Sequence, residues 1–250
     1  MAYLNLSEFN AELINCDITF TKPQKPGDKA RTVVKLSYGP SRKALAFVTP
    51  ACVVDWPRLE GDGNFGTKFG PTEIDKAAYT VGLTDKTLQS GENAPMKQYF
   101  EVLHAIDAKL IEFVHANQKE LLNSRGLTLL EVGAKLSPAV KPRYEDDVLI
   151  YNRQNLSTRK FGYLGQERTL RIVDAARATV TIPVGHEDVC LVASQLDMVF
   201  MGLMGSLYGC KYSVAEVMLL KRAERVAQPG EDAFMGIEIP SWADAGSAFV

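Results

Sequence analysis

The chain has 250 residues, 46% hydrophobic and 23% charged, with a formal net charge of −2. This composition excludes a disordered polyelectrolyte and a histone-like polycation, and it supplies apolar mass for one sizeable core. A local basic groove balanced by acids elsewhere stays open.

The opening stretch MAYLNLSEFNAEL has neither a basic start nor an apolar run, so no secretory leader is expected, and residues 1–20 signal only a short strand or helix. Thr21–Lys29 is a loop carrying two prolines and three lysines. Ala30–Gly39 is rich in β-branched residues and stops at Gly39-Pro40, which predicts a strand, with Lys43–Thr49 as its hairpin partner. Pro50–Thr72 is expected to be irregular, and Ala77–Asp85 returns to strand.

The clearest helix is Pro95–Asn123, where Met96, Tyr99, Phe100, Leu103, Ile106, Leu110 and Val114 recur at three- and four-residue spacing. After a short amphipathic piece at 128–136, Ala139–Gln154 carries a strand. Asn155–Arg168 is a loop or hairpin mixing basic and aromatic residues, and Thr169–Gly185 is strand-like. Asp188–Phe200 alternates as a long strand, followed by Tyr208–Arg222 with Cys210, Tyr212 and Val214 on one side and Lys211 and Ser213 on the other. Val189–Cys210 is apolar enough to be tested as a membrane span, but Ser194, Gln195, Asp197 and Ser206 interrupt it, so a buried strand is expected.

Seven or eight strands, one long inserted helix and no βαβ rhythm predict a mainly β, α+β fold: an OB-fold-like barrel with the helix at 95–123. One domain is expected over residues 1–228, with a C-terminal tail at 229–250.

Enzyme signatures are missing. Gly61–Gly66 spells G-x-G-x-x-G, but the pyrophosphate of a dinucleotide rests on a helix N-terminus, and Thr67-Lys68-Phe69-Gly70-Pro71 opens no helix. There is no P-loop, G-x-S-x-G or H-E-x-x-H, and Asp146-Asp147 on a strand would point to opposite faces. Cys16, Cys52, Cys190 and Cys210 are far apart, as expected of reduced, mostly buried thiols. With His104, His115 and His186 they form no zinc pattern, so no cofactor or metal and no catalysis are expected.

What remains is aromatic and basic residues interleaved. One cluster joins Arg42, Lys43, Arg58 and Lys68 with Trp56, Phe65 and Phe69; Phe47, alternating with Leu45, reads as core. A second lies within Lys141–Arg171 and includes Arg143, Tyr144, Tyr151, Arg153, Arg159, Lys160, Phe161 and Tyr163. Lys211 adds a cation on the outer side of the last strand. Bases stack on aromatic faces while cations track phosphates, so this pattern points to single-stranded nucleic acid. For Trp56, Phe65 and Phe69 the opposite reading, packing inward, stands beside it.

The segments KLSYG, KALAFVTP and YTVGLTD, the helix with IDAKLIEFV, and the pair EDVCLVASQLDMVF and YGCKYSVAEVMLL together resemble the single-stranded DNA-binding proteins of DNA viruses, those of short-tailed phages and of large nucleocytoplasmic DNA viruses. The resemblance covers Val33–Arg222. It implies an OB-fold barrel that coats and protects single-stranded DNA during replication or recombination without strong sequence preference, in the cytoplasm or a host nucleus. It leaves open RNA as a ligand, self-association, and a structural or adaptor role for the barrel as a protein platform. The phage family ends in a strongly acidic tail. Gly230–Val250 holds only Glu231, Asp232, Glu238 and Asp244 among apolar residues, which suits docking to replication or recombination proteins.

Overall fold

The computed structural model describes residues 3–20, 32–56, 80–86, 93–157, 170–180, 187–202 and 207–222. Its strands are β1 (Ile14–Phe20), β2 (Thr32–Tyr38), β3 (Ala46–Val48), β4 (Cys52–Asp55), β5 (Thr80–Thr84), β6 (Val140–Glu145), β7 (Val148–Ser157), β8 (Arg171–Val173), β9 (Glu187–Met201) and β10 (Tyr208–Lys221). The helices are α1 (Ala94–Ala116), α2 (Gln118–Leu121) and α3 (Leu129–Gly133).

Five strands close into a ring. β4 pairs with β5, β5 with β7, β7 with β10, β10 with β9, and β9 returns to β4. Every junction is antiparallel except β7–β10. This is an OB-fold-like barrel with the long helix inserted between β5 and β6, and closure leaves the ring strands no open edge along their shared length. β9 is long enough to serve two partners, β4 through Glu187–Cys190 and β3 through Ala193–Gln195. Cys190, Val192, Ser194 and Leu196 are buried at the period of two that a strand imposes.

α1 starts where Asn93 accepts a hydrogen bond from the Met96 N–H at 3.3 Å, with Pro95 in the first turn, where its missing N–H costs nothing. Met96, Tyr99, Leu103, Ile106, Leu110 and Val114 form a fully buried stripe. The Tyr99 hydroxyl donates to Gln154 Oε1 of β7 and lies 2.9 Å from Ser194 Oγ of β9, and its ring meets Phe47 edge-on. One side chain thus ties the helix to two walls of the barrel. The expected helix to Asn123 breaks at Asn117, which leaves helical backbone at φ −113° and ψ 24° while its side-chain amide joins its N–H on the Phe113 carbonyl at 2.8 Å; α2 resumes after it.

Three expectations are corrected. Lys43–Thr49 pairs with β2 only at the turn, where Lys43 bridges Tyr38; β2 pairs along its length with β1, and Ala46–Val48 pairs with β9. Leu45 and Phe47, 1% and 0% exposed, bury far more apolar surface inside the barrel than a two-stranded ribbon could provide. Cys52–Asp55 is a strand within the stretch read as irregular; four residues are too few for periodicity to show. Residues 140–157 form a hairpin and not one strand. Asp146 and Asp147 sit at its turn with φ of 47° and 63°, the left-handed pair that a two-residue hairpin loop requires.

Candidate nucleic-acid interface

Residues directly opposite on antiparallel strands share a face. The pairs Arg143–Tyr151, Lys141–Arg153, Gly82–Asn155 and Thr80–Ser157 therefore put one side of β5, β6 and β7 together on the outside of the barrel, while Gln154 and Leu156 point inward and are buried. Asp55 of β4, opposite Gly82, joins the same face. Gly82 lets the Arg153 side chain lie on bare backbone: an added Cβ would come within 2.3 Å of its Nε. The guanidinium is then held from both sides, by Asp55 Oδ2 at 3.2 Å and by Asn155 Oδ1, which accepts from Nε at 2.8 Å. Asp55 also pairs with Lys86 at 3.3 Å, and the Lys86 ammonium sits 4.4 Å from the centre of the Tyr151 ring. One carboxylate thus orients two cations, one of which lies over an aromatic ring.

Next to this cluster is a groove of about 310 Å³ bounded by Thr80, Asn155, Ser157, Lys141, Lys211, Phe200, Cys210, Tyr212 and the Ser137–Ala139 segment. Lys211 stands opposite Met198 on β9, diagonal to Phe200, and its ammonium lies 5.3 Å from the Phe200 ring centre. Gly209 is required here, because a Cβ would meet the Ser137 carbonyl at 2.4 Å and the Phe200 ring at 3.1 Å. Beneath the groove, Asp107 of α1 accepts from the Ala139 N–H at 2.8 Å and is 4% exposed; burial pushes its carboxyl up to about 6. Lys86, Lys141, Arg143, Arg153 and Lys211 thus gather around Asp55 on one surface, with Glu145, Asp146 and Asp147 beyond at the hairpin end. The surface offers hydroxyls, amides, aromatic rings and fixed positive charge.

No family model matches the chain, and neither does any curated protein sequence. Among solved structures it is similar to gp2.5, a single-stranded DNA-binding protein encoded by bacteriophage T7, at 14% identity over 80% of this chain and 98% of that one, with a TM-score of 0.40. It is similar also to the single-stranded DNA-binding protein of bacteriophage Enc34. The complex with single-stranded DNA aligns at 11% identity over 73% of this chain and 89% of that one, TM-score 0.36, and a C-terminal truncation at 11% over 83% and 96%, TM-score 0.35.

Of the residues singled out in the sequence, Arg153 and Lys211 share this face, together with Lys141, Arg143 and Tyr151 of the second basic cluster. Arg42 and Lys43 lie elsewhere, at a separate groove between β2 and β9 of about 380 Å³, where Arg42 forms an ion pair with Asp17 of β1. Trp56 is corrected as a stacking platform: it is 5% exposed in the core, and its Nε1–H donates to Asp188 Oδ2 at 3.2 Å. A buried indole with a satisfied N–H presents no face to a base. Arg58, Phe65, Lys68, Phe69, Arg159, Lys160, Phe161 and Tyr163 lie outside the described residues, as does the segment after 222. Sequence reasoning passed over Phe200, Lys86, Asn155 and Ser157. Phe200 and Lys211 become neighbours only through the β9–β10 register, and Lys86 reaches Tyr151 only through the β5–β7 pairing. Among the described residues no His, Cys, Asp and Glu side chains cluster as a metal site, and no helix is long and apolar enough to cross a membrane. Cys52, Cys190 and Cys210 are buried free thiols; burial pushes Cys52 up to about 12 and leaves it unreactive.

Proposed function

We propose that the outer face of β5, β6, β7 and β10 binds single-stranded nucleic acid, and that the protein coats and protects single-stranded DNA during replication or recombination without strong sequence preference. The observation carrying this reading is the continuous surface of Lys141, Arg143, Arg153 and Lys211 interleaved with Tyr151 and Phe200 around a polar groove. Cations at this spacing follow a phosphate backbone, rings accept unstacked bases, and the Asn and Ser groups hydrogen-bond without a fixed sequence code. The segment 229–250 would recruit replication or recombination proteins, and the protein would act in the cytoplasm or a host nucleus. Arg58, Phe65, Lys68, Phe69, Arg159, Lys160, Phe161 and Tyr163 would also contact the nucleic acid.

The rival reading, an adaptor whose barrel is a protein platform, draws on the hairpin end, where Tyr144, Val148, Leu149 and Ile150 are each at least half exposed. Anisotropy titrations of a labelled oligo-dT, the matching RNA and a duplex decide between them. Tight binding to oligo-dT with much weaker binding to duplex supports the proposal. Equal affinity for duplex and single strand, or none for either, overturns it.

A further inference from the structure

A buried carboxylate without a cation partner is costly, and here one stands directly behind the groove. Asp107 Oδ2 accepts from the Ala139 N–H, while its Oδ1 has no hydrogen-bond partner among the described residues. Ala139 belongs to the Ser137–Ala139 groove wall, which leads into β6 and so into Lys141 and Arg143. Cys210 and Tyr212 of β10 line the same groove, and with Tyr208 they lie within electrostatic reach of the carboxyl; the Ala139 backbone that holds Asp107 is itself groove wall. Cys16 of β1 is within electrostatic reach of Cys210. On α1 the residues one turn away are Leu103, Leu110 and Ile111, which are apolar, and His104, which is exposed. On α3, Glu131 accepts from Thr128. Lys141 and Arg143 of β6 are exposed on the groove side. Among the described residues no Lys, Arg or His forms an ion pair with Asp107, so nothing fixes its charge.

We propose that Asp107 is a positioning residue of the nucleic-acid face, and that filling the groove with a phosphate backbone draws a proton onto its carboxyl. This rests on the single-strand reading above. Phosphates held by Lys141 and Lys211 bring negative charge to the groove whose Ala139 wall holds Asp107, in a medium of low effective dielectric. Like charge there disfavours the carboxylate. Burial has already lifted this group to about 6, so a small further rise moves it through the range of ordinary buffers. Binding and protonation then favour each other reciprocally.

The test uses the full-length protein and oligo-dT at fixed salt. Affinity is expected to rise about three- to tenfold from pH 7.5 to pH 5.5, since a shift of one pKa unit is worth a factor of ten. Calorimetry at pH 6 in two buffers of different ionisation enthalpy is expected to show uptake of a fraction of a proton. Asp107→Asn is expected to bind with that pH dependence removed, while His104→Asn keeps it. Carboxyl NMR of Asp107 in the wild type gives a readout that does not depend on the variant's folding, and its titration is expected to move to higher pH when oligo-dT is bound. Binding without proton uptake, an unmoved Asp107 titration, or an Asn variant with the full pH dependence overturns this inference and leaves the single-strand reading in place. No oligonucleotide binding at any pH overturns both.

Discussion

The guanidinium of Arg153 rests on the backbone of Gly82, so a methyl group at residue 82 and the present position of Arg153 exclude each other. What must yield is the end of a flexible side chain. Gly82→Ala is therefore expected to displace Arg153 from Asp55, a mostly buried pair worth on the order of 1 kcal/mol, and to cost little folding stability. Oligo-dT affinity should fall, because the cation is no longer held. Gly209→Ala differs in kind: the obstacle is the Ser137 carbonyl, which belongs to the backbone. It should lose roughly 1–3 kcal/mol of stability, the usual range for overpacking. Chemical denaturation of both variants checks the contrast, and equal losses would contradict it.

Removing charge from the face should act on salt dependence more than on fold. Lys141 and Lys211 are both exposed and both border the groove. On single strands each phosphate contact contributes about 0.7 to the slope of log K against log[salt]. The double variant Lys141→Ala, Lys211→Ala should therefore flatten the slope by about 1.4 and keep the wild-type melting temperature. An unchanged slope would remove both residues from the site.

How much of this was legible in the sequence depends on whether a feature is local. The burial of Met96, Tyr99 and Leu103 follows from spacing along one helix, and the alternation of β9 from spacing along one strand. Closure of the ring does not follow in this way, because it joins residues as distant as Cys52 and Cys190, and no local pattern records a register. The same limit applied at the site. Arg153 was visible as a basic residue among aromatics, but the surface it shares with Lys86 and Asp55 exists only once β4, β5 and β7 are paired. Trp56 has polar neighbours in sequence, yet it is core because Asp188, 132 residues away, supplies a buried acceptor.

That pairing makes Trp56 a test of stability and not of binding. Trp56→Phe keeps most of the ring volume and removes one donor from Asp188, a carboxylate 1% exposed. The expected cost is about 1–3 kcal/mol of folding stability, with the affinity of the folded protein for oligo-dT unchanged. Melts and titrations on the same sample separate the two. A binding defect without a stability loss would return Trp56 to the nucleic-acid surface.

Asp107 should also leave a signature on stability without any ligand. Its folded-state value of about 6 lies above the unfolded value of 3.8, because the buried carboxyl sheds its proton reluctantly. Between those two values the folded state binds more protons than the unfolded state, so stability from this group falls as pH rises from about 4 to about 6. Above pH 6 the full penalty applies, on the order of 3 kcal/mol. Asp107→Asn replaces the carboxylate with a neutral group of the same shape, whose Oδ1 can still accept from the Ala139 N–H. Its amide brings donors that need partners, so the gain is smaller than the full penalty. The variant is expected to melt above the wild type at pH 7.5, and the difference should shrink or reverse near pH 4, where the folded wild-type carboxyl is neutral and the unfolded one is about half protonated. Comparing the two proteins at each pH cancels the other carboxylates, including Glu131, whose hydrogen bonds from Thr128 hold it below the usual range and act in the opposite direction. A melting difference that stays constant from pH 4 to pH 7.5 would show that Asp107 does not titrate in this window.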